Sequence, residues 1–248
     1  MRKFGLIGYP LGHSFSGKYF REKFHRESIE DCAYSNYEIP SISALSDILK
    51  DPELNGLNVT IPYKESVISF LHKKNQVVEE IAACNCIKIL NGELTGYNTD
   101  VIGFENSLKE KLRIADKSAL ILGTGGSSKA VAWVLKKTGI EYLFVTRNKS
   151  LHDGRITYEE LSREILESHP LIINTTPVGM HPKTEVYPPI PYQWIGRGHY
   201  LFDLVYNPSK TLFLEKGELA GARTKNGADM LAIQAEASWD IWNKKGKA

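Results

Sequence analysis

The sequence predicts an α/β protein of two domains: an N-terminal α/β domain, then a Rossmann-like dinucleotide-binding domain, with a cleft between them. Three observations carry this. The stretch Leu120-Ile121-Leu122-Gly123-Thr124-Gly125-Gly126-Ser127-Ser128-Lys129-Ala130 is an apolar run that stops in a glycine cluster and resumes as a helical pattern. That order reads as strand, tight turn and helix, where glycines let the backbone approach a pyrophosphate and the helix N-terminus meets its charge. Second, the segment 1–100 alternates strand and helix signals. Third, the runs at 171–174 and 200–205 are almost wholly apolar, as in parallel strands covered on both faces.

Residues 4–8 open as a strand and run into a polar Gly/Pro/Ser loop, followed by helical character over 18–26. An alternating strand is expected at 34–39 and a capped helix at 42–50. A strand at 56–61 is broken by Pro62, and 64–72 and 76–83 read as helices. Asn91-Gly92 between 87–90 and 93–97 is a two-residue hairpin signal. A connecting helix at 101–112 leads into the glycine-rich unit, whose second strand is 142–145. One helix is expected over 158–167, and the final helix over 230–242 is amphipathic, with Leu231, Ile233, Ala235, Ala237, Trp239 and Ile241 among its apolar positions. The expected domains are 1–100, completed by the C-terminal helix 229–248, and 101–228.

The chain has 248 residues, 42% apolar and 24% charged, enough to bury a core without staples. A net charge of +2 with no long basic block argues against nucleic acid or an acidic membrane as partner. Lys73-Lys74 and the tail residues Lys244, Lys245 and Lys247 read as solvated helix ends. Cys32, Cys84 and Cys86 form no CxxC pair and lie far from any His pair, which predicts a reducing cytoplasm, no disulfide framework and no metal. No run approaches the roughly 18 apolar residues of a membrane span, and the N-terminus enters a strand at once, so no signal peptide is expected.

Cofactor choice is read from the next strand. It ends in Thr146-Arg147, at about the distance where an NAD site places an acid on the ribose 2′-hydroxyl and an NADP site an arginine. Arg147 predicts NADP. Ser128 stands where the fingerprint has its third glycine. Other polar clusters follow strands: 12–16 with His13, Ser14 and Ser16, 58–64 ending in Lys64, Asn85, and 97–100 ending in Asp100. Each also has a bland reading. Ser14 and Ser16 can cap a helix, as can 98–100, and a lysine at a helix start is more often exposed than catalytic.

In combination these clusters resemble the shikimate dehydrogenase family over essentially the whole chain. Gly-x-Pro-x-x-His-Ser-x-Ser spans 8–16, Asn-Val-Thr-x-Pro-x-Lys spans 58–64, and Asn-Thr-Asp is 98–100. Gly-x-Gly-Gly at 123–126, Asn-x-Thr-x-x-Gly-Met at 174–180, Asp-x-x-Tyr at 203–206 and Met-Leu-x-x-Gln at 230–234 follow in order. The resemblance implies NADPH-dependent reduction of 3-dehydroshikimate to shikimate, with Lys64 and Asp100 as the catalytic pair. It implies Ser14, Ser16 and Tyr206 at the substrate carboxylate, and Thr60, Asn85 and Gln234 along the ring hydroxyls. Gly123, Thr124, Gly125, Gly126 and Ser127 would cradle the pyrophosphate, Thr146 and Arg147 the 2′-phosphate, and Leu204 and Gly227 the nicotinamide. The chemistry fits, since hydride delivery to a ring ketone leaves an alkoxide that a lysine can protonate. It further implies a cytoplasmic monomer or homodimer acting on small molecules.

The chain departs from the family pattern in places. Gly17 replaces a proline, Phe20 a histidine, Cys84 and Cys86 the usual valine and threonine around Asn85, and Leu151, with Lys149 nearby, a second arginine. Rival readings are a quinate/shikimate dehydrogenase using NAD(P) and a non-catalytic dinucleotide-sensing module. The presence of both Lys64 and Asp100 speaks against a sensor.

Overall fold

The computed structural model describes residues 1–12, 14–147 and 154–244; His13, Lys149, Leu151, Lys245 and Lys247 lie outside the described residues. The chain divides into two compact units, Met1–Ile102 joined by the chain from Leu231 onward, and Gly103–Met230.

The first unit comprises β1 (Arg2–Gly8), α1 (Phe15–Arg26), β2 (Cys32–Glu38), α2 (Leu45–Ile48), β3 (Leu54–Val59), β4 (Lys73–Lys74), α3 (Gln76–Ile81), β5 (Cys86–Leu90) and β6 (Glu93–Tyr97). Its sheet runs β2-β1-β3-β5-β6-β4. β1 lies parallel to β2 and β3, while β3, β5 and β6 pair antiparallel. The β5–β6 turn has positive φ at both Asn91 and Gly92, as the Asn-Gly pair requires. Side-chain alternation gives the sheet two apolar faces. Ile7, Leu57, Val59 and Ile87 pack on one, and Phe4, Leu6, Phe20, Tyr34 and Cys86 on the other.

α4 (Asp100–Lys109) leads into the second unit, with β7 (Ser118–Leu122), α5 (Gly126–Lys137), β8 (Glu141–Thr146), β9 (Ile156–Thr157), α6 (Arg163–Ser168), β10 (Leu171–Asn174), β11 (Tyr200–Asp203), α7 (Leu212–Leu219) and β12 (Arg223–Asn226). The sheet is parallel throughout, ordered β12-β11-β10-β7-β8-β9. Numbered within the unit this is 3-2-1-4-5-6, the doubly wound order whose switch point, between β7 and β10, opens a crevice at the carboxyl ends of the strands. α8 (Ala228–Asn243) then returns the chain to the first unit. No helix among the described residues is long and apolar enough to cross a membrane.

Some expected helices are shorter or broken, for tertiary reasons. The expected helix at 42–50 is a 3₁₀ turn (Ile42–Ala44) running into the single turn of α2. The one at 64–72 is only a 3₁₀ turn, Ser66–Phe70, because the chain is drawn into strand pairing: His72 N–H donates to Leu94 O, and Leu94 N–H to His72 Nδ1. The helix at 158–167 splits at Leu161. A capping box on Thr157 and Glu160 closes one turn, Leu161 drops extended into the core, and Ser162 caps α6. α7 and β12 carry no strong sequence signal, β12 being the polar Arg-Thr-Lys-Asn at a sheet edge. On α8 the buried residues are Met230, Gln234, Ala235, Ser238 and Trp242, so of the apolar positions read from the sequence only Ala235 is fully buried, and two polar residues face inward.

Trp242 fixes where α8 lies on the first sheet. Its indole stacks on Phe4 and its Nε1–H donates to Ile87 O at 2.9 Å. A Cβ on Gly56 of β3 would sit 2.3 Å from that nitrogen. Gly56→Ala is therefore expected to cost about 1–3 kcal/mol through overpacking. Urea unfolding should show a lower midpoint with an unchanged m-value, and an unchanged midpoint would mean the indole can shift.

Candidate active site

Four of the predicted site residues of the first unit stand at or near the ends of regular elements. Thr60 follows β3, Lys64 precedes the Ser66–Phe70 turn, Asn85 precedes β5, and Asp100 opens α4. Backbone bonds draw these ends together: Cys84 N–H donates to Lys64 O, Asn85 N–H to Tyr97 O, and Val59 N–H to Asn85 O.

Lys64 Nζ donates to Asp100 Oδ2 at 2.7 Å, the two side chains being only 13% and 9% exposed. The other carboxylate oxygen, Oδ1, accepts from Asn85 Nδ2 at 2.8 Å. The same amide nitrogen faces Thr99 Oγ1 at 3.0 Å and Gln234 Oε1 at 3.4 Å, while Asn85 Oδ1 accepts from Thr99 N–H at 2.6 Å. Lys64, Asn85, Asp100 and Gln234, far apart in sequence, thus form one buried hydrogen-bonded group. Asp100 opens a helix as the capping reading anticipated, yet both its oxygens are taken by side chains. Cys84 and Cys86 flank Asn85 inside the core, where burial pushes the Cys84 thiol up to about 12 and Cys86 higher still. Neither is a reactive thiolate.

Ser14 occupies the N-cap position of α1, but its side chain makes no capping bond, and its Oγ is shielded with no hydrogen-bond partner among the described residues. The loop ahead of it is pinned by Glu38 Oε2, which accepts from Leu11 N–H at 2.7 Å. A shielded hydroxyl with no protein partner is what a ligand oxygen needs, so the capping reading fails for Ser14. Ser16 lies in the first turn of α1 and makes no hydrogen bond to Lys64, Asn85, Asp100 or Gln234.

In the second unit, Gly123 adopts φ +104°, a conformation L side chains rarely hold, and its N–H donates to Val145 O at 2.9 Å. A Cβ there would meet Thr175 and Thr176 across the crevice, whereas one at Gly125 would enter open space. Gly125 is the N-cap of α5. Ser128, in place of a third glycine, is buried with its hydroxyl turned back onto Gly125 O at 2.6 Å, so it still permits close packing of helix on strand. A glycine turn with open space above it, at a helix N-terminus and a topological switch point, fits a dinucleotide pyrophosphate. Thr146 ends β8 and Arg147 follows it, exposed. Burial pushes the neighbouring Tyr158 phenol up to about 12, with the Arg147 charge pulling the other way.

Leu204 and Gly227 are brought together: a Cβ on Gly227 would lie 2.5 Å from Leu204 O. Tyr206 follows in the same loop, and Asp203 anchors that loop. Asp203 is fully buried at the end of β11 and accepts from Asn174 Nδ2 (2.9 Å), Val205 N–H (3.0 Å) and Thr211 Oγ1 (2.5 Å). Asp203 and Asn174 sit in recognisable motifs, but only the structure gives them this role. Thr211 and Ser238 gave no sequence signal beyond a cap position and a four-residue spacing from Gln234.

The family model described as the shikimate dehydrogenase substrate binding domain matches residues 6–87. A shikimate dehydrogenase (NADP(+)) of Methanococcus maripaludis is 36% identical over 260 residues, covering 96% of this chain and 90% of the relative. The crystal structure of shikimate dehydrogenase from Aquifex aeolicus superposes with a TM-score of 0.88 at 31% identity, covering 99% of this chain and 93% of that one. A Thermus thermophilus shikimate 5-dehydrogenase solved with NADP(H) and shikimate gives a TM-score of 0.87 at 28% identity, covering 99% and 94%.

Burial raises the Asp203 carboxyl from its ordinary 3.8 to about 6, outweighing its three donors. The native state therefore binds the proton more tightly than the unfolded chain. The stabilisation linked to that proton is complete below pH 3.8 and is lost as pH rises through about 6. Relative to Asp203→Asn, the wild type should lose on the order of 2–3 kcal/mol across that window. Urea midpoints of both proteins against pH measure it, and a difference that does not vary with pH would refute it.

Proposed function

The chain belongs to the shikimate dehydrogenase family, and from that premise we propose how its residues divide the work. It is an NADP-dependent oxidoreductase acting on a CH–OH group, and it interconverts 3-dehydroshikimate and shikimate on the route to aromatic amino acids. In our reading the first unit, with α8, is the substrate domain and the second unit holds the cofactor. The observation that carries the reading is the buried Lys64–Asp100 pair, with Asn85 on the second carboxylate oxygen.

The chemistry that NADPH supplies when bound is a hydride to the ring ketone. Lys64 then acts as the general acid: its ammonium gives a proton to the oxygen as that oxygen becomes an alkoxide, and takes one back in the oxidative direction. Asp100 aims the lysine, and Asn85 holds the second carboxylate oxygen. Ser14, whose hydroxyl has no partner among the described residues, and Ser16 donate to the substrate carboxylate. Thr60 and Gln234 face the ring hydroxyls, and Tyr206 is a further hydroxyl donor to the substrate. Neutral donors bind a carboxylate less tightly than an arginine fork, which suits a product that must leave. Gly123 to Ser127 hold the pyrophosphate, Thr146 and Arg147 the 2′-phosphate, and Leu204 with Gly227 the nicotinamide. A cytoplasmic setting agrees with three free cysteine thiols. A dinucleotide sensor would have no use for a buried ammonium–carboxylate pair.

An assay at the NADPH absorption band, offering shikimate and quinate with NADP and NAD, tests substrate and cofactor choice directly. Lys64→Ala should lower kcat by about 10²–10⁴-fold with a much smaller change in shikimate affinity. A near-normal kcat would end its role as proton donor.

The second test addresses the cofactor. A guanidinium bound to phosphate contributes about 1.5–3 kcal/mol per charge-assisted bond. Arg147→Ala should thus raise KM for NADP by roughly ten- to a hundredfold and leave KM for NAD nearly unchanged. Equal losses for both cofactors would show that the 2′-phosphate lies elsewhere.

A further inference from the structure

Behind the Lys64–Asp100 pair, Asn85 is joined to a chain of buried polar groups, Thr99, Ser238 and Asn58. Ser238 and Thr99 are fully buried, and Asn58 and Asn85 are 3% exposed. One assignment of their hydrogen bonds satisfies them all, with backbone groups at the edges acting as fixed donors or acceptors. Thr99 N–H donates to Asn85 Oδ1, so Asn85 Nδ2 must point at Asp100 and Thr99 Oγ1. Gln234 Nε2 donates to Leu231 O, which turns Gln234 Oε1 toward Asn85 and Thr99. Asn58 Nδ2 faces Asn85 O at 3.4 Å and donates to Ser238 Oγ at 2.9 Å, with the Tyr34 hydroxyl on Asn58 Oδ1.

Ser238 has one proton, and it goes to the backbone oxygen of Gln234 at 2.9 Å. With that proton so placed, its contact with Thr99 Oγ1 at 3.2 Å, in which either oxygen can donate, runs from Thr99 to Ser238. That direction leaves a lone pair of Thr99 Oγ1 facing Asn85 Nδ2. One amide hydrogen of Asn85 is then held by Thr99 and the other by Asp100 Oδ1. Without an acceptor at Ser238, the Thr99 proton would turn to Asn85 Oδ1 at 3.2 Å or Gln234 Oε1 at 3.3 Å, and the amide would lose its fixed second partner.

We propose that Ser238 is a positioning residue for the reaction: by accepting from Thr99 it fixes the Asn85 amide and, through it, the direction of the Asp100 carboxylate that aims Lys64. The inference rests on Lys64 and Asp100 being the catalytic pair. Losing one net hydrogen bond from such a unit corresponds to about a three- to tenfold fall in kcat. Ser238→Ala should show that fall at saturating shikimate and NADP, with KM for NADP unchanged. Thr99→Val, which keeps the shape and removes the hydroxyl, should lower kcat similarly and reads the same link should Ser238→Ala not fold. The decisive measurement is a double-mutant cycle with Asp100→Asn. In that background neither substitution should lower kcat further, because the carboxylate they orient is gone. An equal factor in both backgrounds, or full kcat in Ser238→Ala and Thr99→Val, would overturn the proposal. Full kcat in Asp100→Asn alone would instead overturn the catalytic pair, and this inference with it.

Discussion

A carboxylate withdrawn from water needs a donor on each oxygen, and Asp100 imposes that requirement on the first unit. One oxygen is met by Lys64 and the other by Asn85, so the loop after β3, the approach to β5 and the first residue of α4 must converge within hydrogen-bond distance. The sheet makes that possible. β3 and β5 are antiparallel neighbours, and Val59 N–H pairs with Asn85 O at the end where their polar residues lie. Because a half-satisfied buried network is worse than none, α8 is drawn in as well, closing the group with Gln234 and Ser238.

The second unit answers a similar requirement with different residues. Asp203 is as deeply buried, but its partners are neutral: an amide, a hydroxyl and a backbone N–H. Its neutral donors only partly offset desolvation, so its carboxyl is raised, and it holds a loop in place. Thr211 serves both the acid and α7, since its hydroxyl donates to Asp203 and accepts from Leu214 N–H. The loop carrying Leu204 and Tyr206 is thereby tied to β10 on one side and α7 on the other.

Strong, local signals were legible in the chain. The glycine turn, the Asn-Gly hairpin and the apolar runs of β7, β10 and β11 appear where their patterns place them, because each is set by neighbouring residues alone. Boundaries decided by distant pairing were not legible. Nothing in 64–72 announces that His72 will pair with Leu94, nor does 158–167 say that Leu161 belongs to the core. β12 was invisible because an edge strand needs no apolar run, and on α8 the apolar pattern did not announce that Gln234 and Ser238 are buried as well. At the site, the residue types were visible as polar clusters after strands. Their partnership was not.

From the sequence alone came the α/β class, the glycine turn between strand and helix, NADP as the cofactor, and the motif order that identifies the family. These are properties of residue type and spacing, and they survive without knowing which chain segments touch. Tertiary structure alone decided that Ser14 makes no capping bond, that Asn85 holds Asp100, that Ser238 meets Thr99 and that Thr211 donates to Asp203. Each of those facts depends on which polar groups packing brings within hydrogen-bond distance, in one case across 139 positions of chain, and residue type and spacing do not fix that.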